Sequence, residues 1–283
     1  MSERLDVRKT YKLLVGGAFP RSESGRSYEV LDAKGRFLAN VAQASRKDVR
    51  DAVVAARTAQ RAWWSLTPYN RGQVLYRLAE MVEARARELA DQVARAEGVR
   101  AGEARASVGR SIDRLVWYAG WCDKVAQVLG GQNPVAGPYF NFSVPVPSGV
   151  VGVLADQASS LEAFVDAVAA PLATGNAVVA LASEARPIPA VLLGEMSATS
   201  DLVPGALNVL TGRTGEVGPV LASHEDVDGL DLAGADDDFA GELAALAAES
   251  VSRVLRGADP QDRGLKRLRA FVETSTVWHT IGQ

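Results

Sequence analysis

The sequence predicts an α/β protein, a doubly wound parallel sheet accompanied by a small additional β element. Two continuous apolar runs, at residues 150–154 and 177–181, are typical of strands buried on both faces of a parallel sheet. Helix-like segments of about a dozen residues separate these runs from further short apolar runs, which is the pattern of repeated strand–helix units. The stretch from Leu268 to Ile281 alternates like one more strand, with Val272, Thr274, Thr276 and Trp278 on one face.

The first third of the chain is predicted to form a small β-meander followed by three helices. Glycine-bounded apolar runs predict the strands, at 11–15, 27–31 and 37–41. Ser45 starts a helix with Asp48 as the acidic partner of a capping-box variant. The buried stripe of that helix is predicted to be Val49, Ala52, Val53, Ala56, Ala59 and Trp63. Thr67 and Pro68 start a second helix that runs to Gly98, and a third covers 103–129.

From residue 144 onward the sequence alternates between strand and helix. Four strands are predicted, at 150–154, 177–181, 206–210 and 227–232. The helices between and after them are predicted at 162–173, 187–200, 216–222 and 239–255. Such alternation is typical of the doubly wound class.

Composition excludes several kinds of protein. The 283 residues carry 31 basic and 34 acidic side chains, a formal net charge of −3, which argues against nucleic-acid binding. One cysteine and two histidines exclude a disulfide framework and a Cys/His zinc site. No apolar run reaches the ~18 residues of a membrane span. Because residues 1–10 also lack the apolar core of a secretion signal, we expect a cytoplasmic protein without membrane partners.

Several segments together resemble the aldehyde dehydrogenases. The most specific are Leu-Ala-Thr-Gly-Asn-Ala-Val-Val at 172–179 and Pro-Gly-Ala-Leu-Asn-Val-Leu-Thr-Gly at 204–212. The family's first three helices are similar to residues 52–64, 71–97 and 118–121. The strand that enters its cofactor domain is similar to residues 147–153, and its closing strand to residues 276–278. The resemblance implies a Rossmann-like cofactor domain with a small β element for oligomerisation.

Active members of the family also have a catalytic domain, and here only a short linker occupies its place. The resemblance therefore implies a division into an N-terminal part of the cofactor-type domain (1–130), an oligomerisation strand region (131–147), the parallel α/β part (148–256), the linker (257–264) and a terminal oligomerisation strand (265–283).

No catalytic residue is predicted. The family reaction needs a thiolate nucleophile, an oxyanion donor and a general base. Cys122 lies on an apolar helical stripe with Tyr118 and Val125, so a packing role is favoured over a reactive one. The asparagine donor of the family's Pro-Trp-Asn is replaced, since Asp156, Gln157 and Ala158 stand in its place, and the Glu-Leu-Gly-Gly motif of the base has no match.

The candidate cofactor-binding residues are Ser183, Glu184 and Gly234, which the resemblance implies as vestigial. The lysine of the family's Lys-Pro-Ser-Glu is absent, since the chain reads Leu-Ala-Ser-Glu at 181–184. Glu184 could hydrogen-bond a ribose, or it could act as an N-terminal acid of the helix that begins at Pro187. After Gly234, Asp236, Asp237 and Asp238 favour helix capping over pyrophosphate binding. We expect no cofactor, or NAD or NADP if any binds, and no metal site.

A chain with packing elements but without chemistry is expected to work by association. The leading hypothesis is a non-catalytic subunit that forms a homo-oligomer, or a hetero-oligomer with a full-length aldehyde dehydrogenase, through its terminal strand. The alternatives are an NAD(P)-binding oxidoreductase of the family, a half-site completed by a partner chain, and a gene remnant.

Overall fold

The computed structural model describes residues 8–257 and 265–281. Near the N-terminus it has a three-stranded sheet of β1 (Thr10–Tyr11), β2 (Ser27–Leu31) and β3 (Phe37–Ala42). The strand order is β1-β3-β2, and β1 runs parallel to β3. The predicted β-meander is therefore wrong. The chain after β1 instead bonds to the parallel sheet, where Leu14 and Val209 exchange backbone hydrogen bonds of 2.9 Å.

The first helix, α1 (Arg46–Ser65), confirms the predicted start and buried stripe. The Asp48 amide donates to Ser45 Oγ at 3.3 Å, and the Ser45 amide donates to Asp48 Oδ2 at 2.8 Å. All six predicted stripe residues are buried. Local capping chemistry and a 3.6-residue period therefore suffice to position this helix.

The next two predicted helices are each divided in two. The helices are α2 (Pro68–Ala84), α3 (Ala86–Glu97), α4 (Ala101–Trp121) and α5 (Val125–Leu129). Thr67 caps α2 as predicted. The helix is interrupted at Arg85, where the backbone leaves helical geometry (φ −113°, ψ 18°) and the side chain bonds to both Glu88 and Glu195. After Trp121, tighter i→i−3 bonds from Cys122 and Lys124 end α4.

The central sheet has five parallel strands and confirms the predicted fold class. They are β6 (Val150–Leu154), β7 (Ala177–Leu181), β8 (Leu207–Leu210), β9 (Gly229–Asp231) and β10 (Arg253–Leu255), in the order β10-β9-β6-β7-β8. The fifth strand lies in a segment that was predicted as helix through residue 255. That helix ends at Ala248, and Val251 then takes a positive φ of 59° that turns the chain into β10.

Helices cover both faces of this sheet. On one face α2, α3 and α4 pack with α6 (Glu162–Ala173) and α7 (Ile188–Ser197). On the other, α1 packs with α8 (Thr214–Ala222) and α9 (Asp237–Ala248). Val151 and Val153 face the first layer, whereas Val150 and Leu154 face the second, so β6 is buried on both sides as its apolar run predicts. No helix in the described ranges is both long and apolar enough to cross a membrane.

A separate antiparallel sheet, here named the ribbon, consists of β4 (Gly131–Gln132), β5 (Tyr139–Pro147) and β11 (Val272–Thr280) in the order β11-β5-β4. The register pairs Val272 with Pro147 and Thr280 with Tyr139. The terminal strand begins at Val272, four residues later than predicted, because Leu268 lies in a short helix, α10 (Lys266–Ala270). Of the predicted linker, only Gly257 belongs to the described residues.

A buried charge network ties α10 to the main body. Arg267 Nη1 contacts Asp231 Oδ2 on β9, and its Nε lies 3.0 Å from Asp166 Oδ2 on α6. Asp166 also accepts a 2.7 Å bond from the Tyr118 hydroxyl and lies 3.3 Å from Arg114 Nε. All five side chains are buried. The segment after residue 264 is therefore fixed to the sheet by paired charges.

Candidate functional site

A cleft of about 720 Å³ lies outside the carboxyl ends of the parallel strands. Its floor comes from the segments that follow β6, β7, β8 and β9, and its opposite wall from β2 and the residues after it. The strand order reverses between β6 and β9, because β7 and β8 lie on one side of β6 while β9 and β10 lie on the other. This is the position at which doubly wound sheets bind ligands.

Glu184 lines this cleft, but its side chain is engaged with the protein. Its Oε1 lies 2.6 Å from Arg213 Nη1, and its Oε2 accepts a 3.0 Å bond from the Thr214 amide, the first residue of α8. The predicted alternative, an N-terminal acid of the helix that begins at Pro187, is therefore wrong, because the carboxylate caps α8 instead. The bond to Arg213 raises the pKa of that guanidinium. Any ribose hydroxyl would have to share this carboxylate.

Tyr28 completes the surroundings of Glu184. Its hydroxyl donates to the Glu184 carbonyl at 3.1 Å, and Arg213 lies over its ring at 4.7 Å. Burial raises the pKa of Tyr28, and the neighbouring Glu184 carboxylate acts in the same direction. The sequence did not indicate Tyr28 as a residue of the cleft, and it did not predict that Arg213 contacts Glu184. Nothing local in the sequence brings β2 to the ends of β7 and β8.

Ser183 does not belong to the wall of the cleft. Its side chain is buried, only 2% exposed, and its hydroxyl donates to the Gln157 carbonyl at 3.4 Å. The Gln157 side chain in turn accepts from the Glu184 amide at 2.9 Å. Ser183 thus links the loop between β7 and α7 to the turn after β6, beneath the surface of the cleft.

Gly234 lines the cleft at the reversal of strand order. Its amide donates to the Leu154 carbonyl at 3.1 Å, and a Cβ at this position would lie 1.7 Å from the Ala155 carbonyl oxygen. Only glycine permits this close approach of the segments that follow β9 and β6. The structure therefore brings Glu184 and Gly234 to one cleft and leaves Ser183 outside it.

The helix that follows Gly234 begins with carboxylates. Asp236 caps α9 by accepting a 2.9 Å bond from the Phe239 amide, as predicted, and Asp237 and Asp238 occupy the first turn. Four acidic residues line the cleft against two basic ones, namely Glu29, Asp32, Glu184 and Asp236 against Arg186 and Arg213. The residues that line the cleft therefore carry a formal excess of two negative charges. Nowhere in the described ranges do three His, Cys, Asp or Glu side chains group as a metal site requires.

The turn after β6 is closed by its own side chains. Asp156 Oδ1 accepts from the Ala158 and Ser159 amides at 2.7 and 2.8 Å. Gln157 donates to the Ala155 carbonyl at 2.8 Å. The Gln157 amide group is thereby held within the protein, and Ala158 has no side-chain donor.

Cys122 lies at the end of α4, away from the residues that line the cleft. It is 3% exposed, and its thiol donates to the Tyr118 carbonyl at 3.5 Å. Burial raises the pKa of the Cys122 thiol to about 12, although Arg71 opposes this shift. A thiolate is the nucleophilic form of cysteine, so this side chain is held in its unreactive state at neutral pH.

Comparison with known proteins identifies the family. The model described as "Aldehyde dehydrogenase family" matches residues 19–256. The chain belongs to this family. It is 34% identical over 257 residues to aldehyde dehydrogenase family 2 member B4, mitochondrial, of Arabidopsis thaliana, a match that covers 88% of this chain and 47% of the relative. DhaS of Bacillus subtilis (strain 168) is 31% identical over 280 residues, covering 94% of this chain and 56% of DhaS.

Solved structures share the fold. HpcC from Thermus thermophilus superposes with a TM-score of 0.84 at 28% identity, covering 88% of this chain and 48% of HpcC. An aldehyde dehydrogenase from Bacillus cereus, solved as an NAD+ complex, superposes with a TM-score of 0.81 at 24% identity, covering 88% of this chain and 50% of that one. The chain thus spans about half the length of each of these four proteins.

The two segments that most resemble the family serve the fold. Asn176, in the first, accepts from the Gly149 amide at 2.8 Å and donates to the Phe271 carbonyl at 3.0 Å. Asn208, in the second, accepts from the Gly16 amide at 2.9 Å and donates to the Gly205 carbonyl at 2.7 Å. Both side chains are buried. These asparagines therefore join distant parts of the chain.

Proposed function

We propose that the chain is a non-catalytic member of the aldehyde dehydrogenase family that acts as an assembly or regulatory subunit. The observation that carries the proposal is the state of Cys122. It is the only cysteine of the sequence, it is buried, and its raised pKa of about 12 keeps it protonated. The reaction of the family resemblance requires a thiolate that attacks a carbonyl carbon, and this chain offers none at the cleft.

The cleft supports the same proposal. Glu184 is held by Arg213 and the N-terminus of α8, and the start of α9 carries Asp236 in a capping bond. A pyrophosphate at that helix start would meet carboxylates where free amides favour an anion. We therefore propose that NAD and NADP do not bind with an affinity useful to an enzyme.

The ribbon provides the means of association. The ribbon has four exposed apolar side chains, namely Tyr139 and Phe140 at the start of β5 and Val277 and Trp278 in β11. We propose that the ribbon joins this chain to a second copy or to a full-length aldehyde dehydrogenase. A free, buried thiol suits a reducing compartment, and we place the subunit in the cytoplasm.

A second candidate function is residual cofactor binding, either by an oxidoreductase or by a half-site that a partner chain completes. The cleft of about 720 Å³ favours it, since Glu184 and Gly234 both line a space at the reversal of strand order. In that case the partner would supply the nucleophile and the base.

Two measurements on the purified full chain test the proposal. Calorimetric titration with NAD and with NADP is expected to give no saturable heat, and a panel of aliphatic and aromatic aldehydes with either cofactor is expected to give no reduced nicotinamide. Cofactor-dependent turnover that Cys122→Ser abolishes would overturn the non-catalytic assignment. Saturable NAD binding without turnover would support the second candidate.

The assembly half of the proposal is tested by co-expression of two differently tagged copies, and of one tagged copy with a full-length aldehyde dehydrogenase from the same cell. Recovery of either pair in a stoichiometric complex is the expected result. A chain that stays monomeric and captures neither partner would refute the assembly role.

A further inference from the structure

The backbone of β11 has one edge that bonds to β5 and one that does not. The Ser148 amide donates to the Phe271 carbonyl at 3.1 Å, and the Ile281 amide donates to the Pro138 carbonyl at 2.9 Å, at the two ends of the same antiparallel register. Because hydrogen-bonded pairs alternate in such a ladder, the odd-numbered residues of β11 bond to β5. The even-numbered residues, from Val272 to Thr280, therefore point their N–H and C=O groups to the other edge.

The prolines of β5 agree with this assignment. Pro145 and Pro147 lie opposite Thr274 and Val272, and neither proline has an amide hydrogen to give to its partner. Within the described ranges no strand pairs with the outer edge of β11, since the order of this sheet is β11-β5-β4.

This outer edge lacks the devices that protect edge strands. Proteins block such edges with proline, lysine, bulges or very short strands. The nine residues of β11 contain neither proline nor lysine, their register with β5 has no shift, and Trp278 is 61% exposed. The outward backbone groups therefore form a template for another strand.

We propose that β11 pairs antiparallel with β11 of a second copy, about a two-fold axis that passes through Thr276. This pairing rests on the proposed assembly function, for which it specifies the partner, a second copy, and the contact, β11. A strand that pairs with its own copy across a two-fold axis must be antiparallel and self-complementary. Thr276 is the midpoint of the strand Val272–Thr280, so this register alone pairs all nine residues. It also joins even-numbered residues to even-numbered residues, as the outward backbone groups require.

A polar side-chain contact between the two copies supports the same register. With Thr276 at the centre, Glu273 of one copy lies opposite His279 of the other, and this contact occurs twice. A shift of the centre by one residue would place Glu273 opposite Val277 or Ile281 and would shorten the ladder. Glu273 already contacts Arg253 in its own chain, with Arg253 Nη2 at 2.6 Å from Glu273 Oε2. His279 would therefore join an existing exposed ion pair. We expect this contact to favour one register over others and to add little to the strength of the dimer.

The resulting sheet would have six strands, with the two ribbons joined edge to edge. Side chains on the same face meet across an antiparallel pair, so the apolar face that contains Phe140, Phe142 and Val277 would continue from one copy into the next.

Cysteine cross-linking distinguishes this register from others. In Thr276→Cys the two introduced thiols would be directly opposed, with Cα atoms about 5.5 Å apart, within the range of a disulfide. In the matched control Thr274→Cys, the two thiols would be four residues out of register, roughly 13 Å apart and out of reach. Cys122 is common to both variants and buried. Under mild oxidation, Thr276→Cys is expected to form a covalent dimer at least ten times more completely than Thr274→Cys.

A second pair of variants tests the backbone contact. Thr276→Pro removes an outward amide without removing a backbone bond to β5. Thr276→Val keeps the amide and, like proline, lacks the hydroxyl that bonds to Ser143. Sedimentation equilibrium is expected to give a dimer for the original chain and Thr276→Val, and a monomer for Thr276→Pro with an unchanged circular dichroism spectrum.

The outcomes separate this inference from the proposed function. Equal cross-linking of the two cysteine variants, or a dimer that persists in Thr276→Pro, would refute pairing through β11 while leaving the assembly subunit intact. A chain that is monomeric alone but binds a full-length aldehyde dehydrogenase would do the same. A chain that associates with nothing would refute both.

Discussion

Replacing Arg267 with methionine should destabilise the protein more than any exposed charge substitution. Methionine keeps much of the buried volume, so the main change is the loss of the guanidinium between Asp231 and Asp166. Both carboxylates are buried, and Asp231 is wholly so. In the variant, the Asp231 carboxyl group must either stay ionised without a neighbouring cation or take up a proton.

Removing one partner of a buried ion pair costs about 3–5 kcal/mol, because the other charge is left uncompensated. A domain of this size class loses about 2–4 °C of melting temperature per kcal/mol, so we expect a decrease of roughly 6–20 °C. The matched control is Arg253→Met, which removes an exposed ion pair with Glu273. Such pairs contribute about 0–1 kcal/mol, so the control should melt within a few degrees of the original chain.

The loss should also depend on pH. Burial raises the pKa of Asp231, and Arg267 opposes that shift, so Arg267→Met should raise the pKa further. An acid whose folded-state pKa exceeds its unfolded value of about 3.9 favours the folded state most at low pH. The deficit of Arg267→Met relative to the original chain should therefore be smaller at pH 5 than at pH 8.

Urea unfolding of the three proteins at these two pH values, followed by circular dichroism, measures both effects. A deficit for Arg267→Met no larger than that for Arg253→Met would refute the role of the network. A deficit that is large but equal at the two pH values would refute the assignment of its origin to Asp231.

Three further outcomes are expected. Cys122 should fail to react with a disulfide reagent in the native protein at pH 8 and should react fully in guanidinium, because burial raises its pKa to about 12; rapid native labelling would contradict this. Gly234→Ala should lower the free energy of unfolding by about 1–3 kcal/mol, since its Cβ would overlap the Ala155 carbonyl. The control Gly215→Ala, on the open surface of α8, should be neutral or stabilising, and denaturant unfolding measures both variants. Asn176→Ala should cost about 1–3 kcal/mol for each backbone group left unpaired, which a shift in urea midpoint without a change in slope would record.

Local signals predicted the elements that depend on local chemistry. Ser45 and Thr67 start their helices because a side-chain oxygen needs only an amide three residues away. The breaks that were missed depend on distant partners or on unusual backbone conformations. Arg85 leaves the helix where it meets Glu195, and the strand Arg253–Leu255 exists because Val251 adopts a positive φ.

The site divides in the same way. Glu184 and Gly234 could be named because the resemblance to aldehyde dehydrogenases marked their positions, and both line the cleft. The cap on α8 and the contact of Tyr28 with Glu184 join segments far apart in the chain, so no pattern near Glu184 could have indicated them. Arg267 gave no signal either, because its carboxylates belong to α6 and β9.

The placement of Arg267 bears on how the polypeptide could be divided. Arg267, Leu268 and Phe271 are buried in the main body, and Asn176 donates to the Phe271 carbonyl. Side chains, and not only the peptide connection through residues 258–264, therefore attach the last strand to the rest. Two fragments separated within that stretch would retain these attachments when mixed, and the protein should reconstitute as a split pair.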